Sequence, residues 1–555
     1  MTKLLNMTIG EMLEKQARDY PDNEGLVVPY CDLRYTYKEL NEVVDVIARG
    51  FMGMGVQKGD HVSIWATNYP EWVLTQFATA KIGAVLVTVN TNYKQFELEY
   101  LLKQSDTSTL VMISGFKDSN YVEHIRGLCP ELNEAEPGKL SSKKLPYLKN
   151  VIYLDDDEQA GMFHWKDLYK FAEKVTDEEY EARKSSLDPQ DVVNMQYTSG
   201  TTGFPKGVML THYNLVNNGV AVGDCMKLTP NDRLLIPVPL FHCFGCVLGV
   251  MASFTHATTM LLLDAFNPVK VMSIIQDEKC TAVHGVPTMF ISMLDHPDFE
   301  QYDFSTLRTG IMAGSPCPIE FMKRAMSDMN MTEITITYGQ TESSPAITMT
   351  RTDDPIEKRV ETIGQHVPGV EAKIVDPETG EDVPYGVQGE IVARGYNIMK
   401  GYYKMPEATA QAIDEEKWLH TGDLGTMDAD GYFKVTGRLK DMIIRGGENI
   451  YPREIEEFIY THPAVRDVQV VGVPDKRYGE EVLACVILKE DAEPVTEEGM
   501  IQFVKEGLSR FKSPRYVKFI DEFPMTASGK IQKYKLREWA IEELGLQEAA
   551  KIETA

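Results

Sequence analysis

At 555 residues the chain is too long for one hydrophobic core, so two or more domains are expected. Its composition is that of an ordinary globular protein, and a net charge of −27 with no basic run excludes general nucleic-acid binding. Any site for an anionic ligand must gather its lysines and arginines locally against this acidic background. The first fifteen residues lack an apolar core and include Glu11 and Glu14, so no signal peptide is expected. The most apolar stretch, Leu234 to Phe254, is interrupted by Pro237, Pro239 and His242. The clean run from Cys243 is too short for a membrane span and fits a buried core segment. Eight scattered cysteines do not make a secreted disulfide framework, and a cytoplasmic location is the default.

In chain order, Thr8-x-x-Glu11 and Thr36-x-x-Glu39 are capping boxes that open amphipathic helices. His61–Trp65 predicts a strand, the stretch through Trp72 to Ala80 a helix, and Ala84–Val89 another strand. Helices alternating with short apolar strands predict an α/β architecture with largely parallel sheets. Gly127 to Lys149 is polar and broken by Pro130, Pro137 and Gly138, which predicts a surface excursion. Asp191 to Tyr197 alternates apolar and polar residues and predicts a strand. It runs into Thr198, Ser199, Gly200, Thr201, Thr202, Gly203, Phe204, Pro205, Lys206 and Gly207, which hold four hydroxyls, three glycines and one lysine. Glycines turn backbone N–H groups towards a ligand, hydroxyls donate hydrogen bonds and lysine supplies a charge, which is the chemistry of a triphosphate cradle. The spacing is not that of a GxxxxGK[ST] loop. For such a run alone, a flexible surface loop is the competing reading.

Further on, His242 sits in an apolar run, where a satisfied core histidine is the ordinary reading. Cys243 and Cys246 are formally a CxxC pair, but zinc would need two more ligands, and small buried hydrophobes are the ordinary reading. Thr332 to Tyr338 alternates and predicts a half-buried strand. It delivers Tyr338-Gly339-Gln340-Thr341-Glu342 at its carboxyl end, where α/β sheets place ligands. Asp430-Gly431 predicts a tight hairpin turn between Met427 and Tyr432. After Met442, a helix bearing Ile455 and Ile459, strands at Val468–Val471 and Val482–Val486, and a helix bearing Met500, Ile501, Val504 and Leu508 predict a smaller domain. No internal repeat is evident.

The string Tyr197 to Val208 resembles the phosphate loop of the adenylate-forming, AMP-binding superfamily, which includes acyl-CoA synthetases, luciferases and peptide-synthetase adenylation domains. Tyr338 to Glu342, Trp418 to Asp423 and Pro524 to Ile531 resemble its later motifs, in the family order. The resemblance implies an α/β, acetyl-CoA synthetase-like fold. A large N-terminal domain of stacked-sheet subdomains (1–438) would carry a small mobile α+β C-terminal domain (442–555), with a hinge at 439–441 centred on Lys440. It also implies roles. Thr198, Ser199, Gly200, Thr201, Thr202, Gly203 and Lys206 would cradle the ATP phosphates. His242 would sit beside the reacting carboxylate. Gly314, Ser315, Pro316, Tyr338 and Gly339 would form the adenine pocket. Thr341 would reach the α-phosphate, and Glu342 would hold Mg²⁺, for which one carboxylate plus phosphate oxygens suffices. Asp423 would hold the ribose, and Arg438 ribose or phosphate. Gly446, Gly447 and Glu448 would line the pantetheine tunnel, and Lys530 would be the catalytic lysine.

The implied partners are ATP, coenzyme A and a small carboxylic acid, on a monomer or homodimer. The implied reaction is two-step ligation through an acyl-adenylate. Val89 to Lys94, the surroundings of Tyr338 to Glu342, and Asp441 to Pro452 most resemble medium-chain fatty acyl-CoA synthetases. An aryl-acid ligase on the same scaffold is the alternative, since acid selection rests on side chains such as Cys243, Val247, Met289, Cys317 and Pro345. A carrier-loading enzyme, a luciferase-like oxidase and a non-catalytic scaffold are the other readings.

Overall fold

The computed structural model describes residues 4–198, 204–314, 317, 319–377, 379–438, 443–450, 452–489, 492–524 and 533–551. Local chemistry sets its first elements. Thr8 and Thr36 each accept the backbone N–H three residues on, while Glu11 and Glu39 reach back, and the helices Ile9–Asp19 and Tyr37–Gly53 begin there.

Two large sheets carry the N-terminal part. In one, the strands Val85–Thr88, His61–Trp65, Thr109–Met112 and Asn150–Tyr153 run parallel. Val192–Thr198 joins them in parallel, and Lys206–Thr211 then pairs back against it. In the other, Glu24–Val28, Thr259–Leu262, Arg233–Ile236, Ala282–Val283, Thr309–Ile311 and Glu333–Thr335 run parallel, with Leu33–Thr36 antiparallel at the edge. One apolar cluster joins the two sheets. Ile64, Leu86 and Val208 come from the first, and Leu234, Ile236 and Met260 from the second, with Trp72, Phe77 and Phe254 in the same cluster. An α/β core closed on both sheet faces follows from strands that are apolar on both sides.

Two expectations are modified, at Thr332 and in the segment 127–149. The alternating stretch from Thr332 does not make one strand: Glu333–Thr335 belongs to the large sheet, while Thr337–Gly339 pairs with Ala346–Met349. At the switch the Thr350 hydroxyl accepts the Ile336 N–H at 2.9 Å, and Arg359 covers the carbonyls of Thr332 and Ile334. The apolar run after Cys243 is a buried core segment as expected, wound as a π-helix over Phe244–Met251. The segment 127–149 is anchored by buried Leu132, Leu140, Leu145 and Leu148. The Asp430-Gly431 hairpin is present, with Gly431 at φ +84° and Met427 paired with Phe433.

From Ile443 onward, Val465–Asp475 and Gly479–Leu488 form a long hairpin that pairs with Tyr516–Phe519 and Ile443–Arg445. The helices Pro452–Ile459 and Glu497–Gly507 pack on it through Ile455, Ile459, Met500 and Val504, in a cluster of their own. Among the described residues, no helix is long and apolar enough to cross a membrane.

Candidate active site

The site gathers at carboxyl ends of strands, where the backbone leaves the sheet and side chains from separate segments can converge. Val192–Thr198 ends on Thr198, whose Oγ1 donates to Glu342 Oε1 at 3.4 Å. Tyr402 donates its phenol proton to the same oxygen at 2.8 Å. Tyr402 arrives because Gly401–Tyr402 pairs with Lys206–Thr211, and Lys206 Nζ lies 4.2 Å from the Tyr402 ring centroid. A carboxylate, two hydroxyls and an ammonium are thus brought together. Sequence reasoning missed Tyr402, because its place depends on a strand pairing some two hundred residues away in the chain. Ser199, Gly200, Thr201, Thr202 and Gly203 lie outside the described residues. At their C-terminal flank, Phe204 stacks on Tyr100 with ring centroids 4.8 Å apart.

Thr337–Gly339 delivers the next group. A Cβ on Gly339 would stand 1.8 Å from the Pro345 carbonyl oxygen, which also accepts the Gln340 N–H at 3.1 Å. The turn carrying Thr341 and Glu342 is therefore pressed against residue 345, and only a glycine fits. Tyr338 donates to Asp423 Oδ2 at 2.8 Å. Asp423 lies in Leu419–Met427, paired in register with Arg438, whose side chain lies outside the described set. Thr341 is buried, with its hydroxyl 3.8 Å from the Cys243 sulfur. Burial pushes the Cys243 thiol up to about 12, so it stays neutral.

His242 follows the strand Arg233–Ile236. Its Nδ1 accepts the Phe244 N–H at 3.2 Å, which assigns the proton of the neutral ring to Nε2. Burial holds the imidazole below its ordinary value, although the Glu448 carboxylate pulls the other way. Burial likewise pushes Glu448 up, opposed by His242 and Lys512. His242 and Glu448 face a cavity of about 60 Å³ walled also by Thr88, Asn90, Tyr93, Gln196, Thr341, Phe511 and Lys512. Both large segments of the chain therefore contribute to its wall. The Gly446-Gly447 loop, at φ +57° and +89°, presses Gly447 against Val286 and Gly314, with Gly314 itself at φ +91°. Ser315, Pro316, Lys440 and Lys530 lie outside the described residues.

Of the residues with a bearing on the acid, Cys243, Val247, Cys317 and Pro345 are buried and Met289 is partly so. Beside them, Phe244 lies across the His284 ring at 5.6 Å, and His284 Nε2 donates to the Leu248 carbonyl of the π-helix at 3.0 Å. Cys246 is buried and takes a hydrogen bond from Gln196 at 3.4 Å. Among the described residues no group of three or more His, Cys, Asp or Glu could hold a metal ion by itself. The hard-oxygen set of Glu342 with the Thr198 hydroxyl suits Mg²⁺ arriving with phosphate oxygens.

Comparisons with known proteins place the chain in a family. Residues 13–403 match the model of the AMP-binding enzyme family, and residues 454–530 that of the AMP-binding enzyme C-terminal domain. The chain is 56% identical to a putative acyl-CoA synthetase, YngI, of Bacillus subtilis, over 98% of this chain and 99% of that one. It is 43% identical to the mitochondrial medium-chain acyl-CoA ligase ACSF2 of Bos taurus, over 98% of this chain and 89% of that one. Among solved structures, a double mutant of o-succinylbenzoate CoA synthetase (MenE) from Bacillus subtilis, bound to a product analogue, superposes with a TM-score of 0.78. That pair is 25% identical, covering 96% of this chain and 99% of that one. The chain belongs to the AMP-binding enzyme family, as one of its acyl-CoA synthetases.

Proposed function

We propose that the protein is an ATP-dependent, AMP-forming carboxylic acid:CoA ligase acting on medium-chain fatty acids. A carboxylate is a poor acyl donor because its charge repels nucleophiles and it lacks a leaving group. Attack of a carboxylate oxygen on the α-phosphorus of ATP forms the acyl–phosphate bond and releases pyrophosphate. Attack of the CoA sulfur on the acyl carbon then forms the thioester and releases AMP, with the thiol proton passing to solvent or a base.

In this reading the Thr198–Lys206 segment holds the β- and γ-phosphates, and Thr341 donates to the α-phosphate. Lys530 bridges carboxylate and phosphate oxygens as charge develops. Glu342 would hold Mg²⁺, and the chemistry the ion would supply is neutralisation of charge on the phosphates. Asp423, held by the Tyr338 phenol, takes the ribose hydroxyls together with Arg438. Nε2–H of the neutral His242 donates towards the carboxylate.

The observation that carries the proposal is the meeting of Glu342 with Thr198, Lys206 and Tyr402 within one strand-end cluster, adjoining the cavity of His242 and Glu448. Glu448 reaching that cavity suits the second half-reaction, in which its loop lines the path of the thiol. The first half-reaction needs Lys530 there instead, so we place a hinge at Lys440 about which residues 442–555 turn. A second cavity of about 270 Å³ is lined by Lys94, Lys505 and Arg510 with Asp118, Gln502 and Glu506, and its three cations against two carboxylates suit an anionic part of a substrate. A cytoplasmic location, where ATP and CoA are both at hand, belongs to the same reading.

The test is a panel of straight-chain and aryl carboxylic acids with ATP, Mg²⁺ and CoA, followed by AMP release. Preference for medium-chain acids supports the proposal. Preference for aryl acids would move the assignment to an aryl-acid ligase, and turnover only with a holo-carrier protein would remove CoA as acceptor.

A further inference from the structure

A buried ionic cluster joins the two large segments of the chain next to the cavity. Lys512, on the turn Arg510–Lys512, places its Nζ 2.8 Å from Glu97 Oε1 and 2.6 Å from Glu454 Oε1. The three side chains are 2%, 3% and 9% exposed. Ser509 donates to the Glu97 carboxylate, 2.7 Å from each of its oxygens. Glu97 is itself fixed, because it lies in the first turn of Gln95–Gln104 and its Oε2 accepts the Lys94 N–H at 3.1 Å. Alongside, Lys94 Nζ donates to the Lys505 carbonyl at 2.6 Å.

Burying an ammonium is costly unless it is paired and hydrogen-bonded, and losing one partner leaves charge in a dry place. Burial alone would draw the Lys512 ammonium down, yet the Glu454 and Glu97 carboxylates outweigh it and hold it well above its ordinary value. Glu454 and Lys512 belong to the same C-terminal packing unit, so their pairing does not depend on where that unit sits. Glu97 belongs to the other segment. Its bonds to Lys512 and Ser509 exist in the described orientation, the one in which Phe511 and Glu448 wall the cavity of His242.

We propose that Glu97 is a positioning residue for the thioester half-reaction: by accepting from Ser509 and Lys512 it holds the C-terminal segment in the orientation that puts Glu448 and Phe511 at the cavity. This rests on the reading that the segment takes a second orientation while the adenylate forms. In that second orientation Glu97 loses both partners, and its carboxylate must be hydrated or paired elsewhere. The cluster therefore weights the partition between the two half-reactions without touching the reacting atoms.

The experiment uses the full chain with Glu97→Gln, which removes the charge but leaves Lys512 its Glu454 partner. Glu97→Asp retains the charge, and Ser509→Ala is a milder variant should the first fold poorly. Two rates are measured separately. The first is acid-dependent pyrophosphate release without CoA. The second is consumption of preformed enzyme-bound adenylate after mixing with CoA. Glu97→Gln is expected to slow the second step by about tenfold to a hundredfold, the range for losing a hydrogen bond to a charged group. The first step stays near the parental rate, Ser509→Ala falls between, and Glu97→Asp recovers part of the loss. Both steps unchanged, or both slowed equally with a lower melting temperature, would overturn the proposal. If the parental protein itself releases no pyrophosphate with any acid, it is the ligase reading that fails.

Discussion

Gly339→Ala is the most exacting test of how the turn carrying Thr341 and Glu342 is held. Gly339 is not in the left-handed backbone region, so it is contact and not torsion that excludes a side chain. The added Cβ would lie 1.8 Å from the Pro345 oxygen, 2.8 Å from its carbonyl carbon and 3.0 Å from the Ile347 nitrogen. All three are backbone atoms, so no rotamer change relieves the clash. A carbon–oxygen approach becomes tolerable only near 3.3 Å, which calls for an opening of roughly 1.5 Å. Such an opening stretches or breaks the Gln340 N–H bond to Pro345 and carries Thr341 and Glu342 off their positions beside Cys243 and Thr198. Displacing reacting groups by about 1 Å lowers rates by about a hundredfold. The variant is therefore expected to lose about that much in kcat/KM for acid-dependent pyrophosphate release, at a temperature where circular dichroism shows it folded. The control is Gly386→Ala. Gly386 is at φ +78° with nothing within 4 Å of an added Cβ. Its substitution strains the backbone by about 1 kcal/mol and leaves the rate alone. A Gly339→Ala enzyme with a near-parental rate would refute the claim that this turn positions the chemistry.

Lys530→Ala is expected to abolish adenylate formation while largely sparing thioester formation from a supplied acyl-adenylate; normal pyrophosphate release by the variant would contradict its assignment. Lys440→Pro should impair one half-reaction more than the other, and an equal loss in both would count against a hinge there. Acid should destabilise the fold through two histidines that play no part in the proposed chemistry. Burial lowers His212 and His284 from 6.5 to about 4, and each has a ring nitrogen accepting a backbone N–H, from Ile9 and Ile311 respectively. Above the unfolded value of 6.5 both are neutral in either state. As pH falls from there towards 4, the unfolded chain binds protons that the fold refuses. Stability then drops by of the order of 3 kcal/mol per histidine. Denaturant midpoints at about pH 7 and about pH 4.5 measure this, and coincident midpoints would contradict it.

Much of the fold can be read from short-range signals, because those signals close within a few residues. A capping box needs only Thr8 and Glu11, or Thr36 and Glu39, and both appear in the structure. The hairpin at Asp430-Gly431 is equally local. What escaped depends on distant partners. The period-two pattern from Thr332 runs unbroken through Ile336, so nothing local reveals that the chain changes sheets there; the deciding groups are Thr350 and Arg359. An apolar run buried on every side has no polar face to mark its winding, so the π-helix after Cys243 is silent in sequence. The same holds for the site. Thr198, Tyr338, Glu342 and Asp423 stand in motifs that could be recognised and lie in two hydrogen-bonded pairs. Tyr402, Glu97, Ser509 and Lys512 carry no local mark, since each acts through a partner from another part of the chain.

The central claim is that this protein joins an acid to AMP before CoA enters. The most direct measurement uses a medium-chain acid labelled with heavy oxygen in its carboxylate, ATP, Mg²⁺ and CoA, with mass analysis of the products. One labelled oxygen is expected in AMP, none in pyrophosphate, and the acyl group in the thioester. Label appearing in inorganic phosphate alongside ADP, or no nucleotide cleavage with any acid tested, would contradict it.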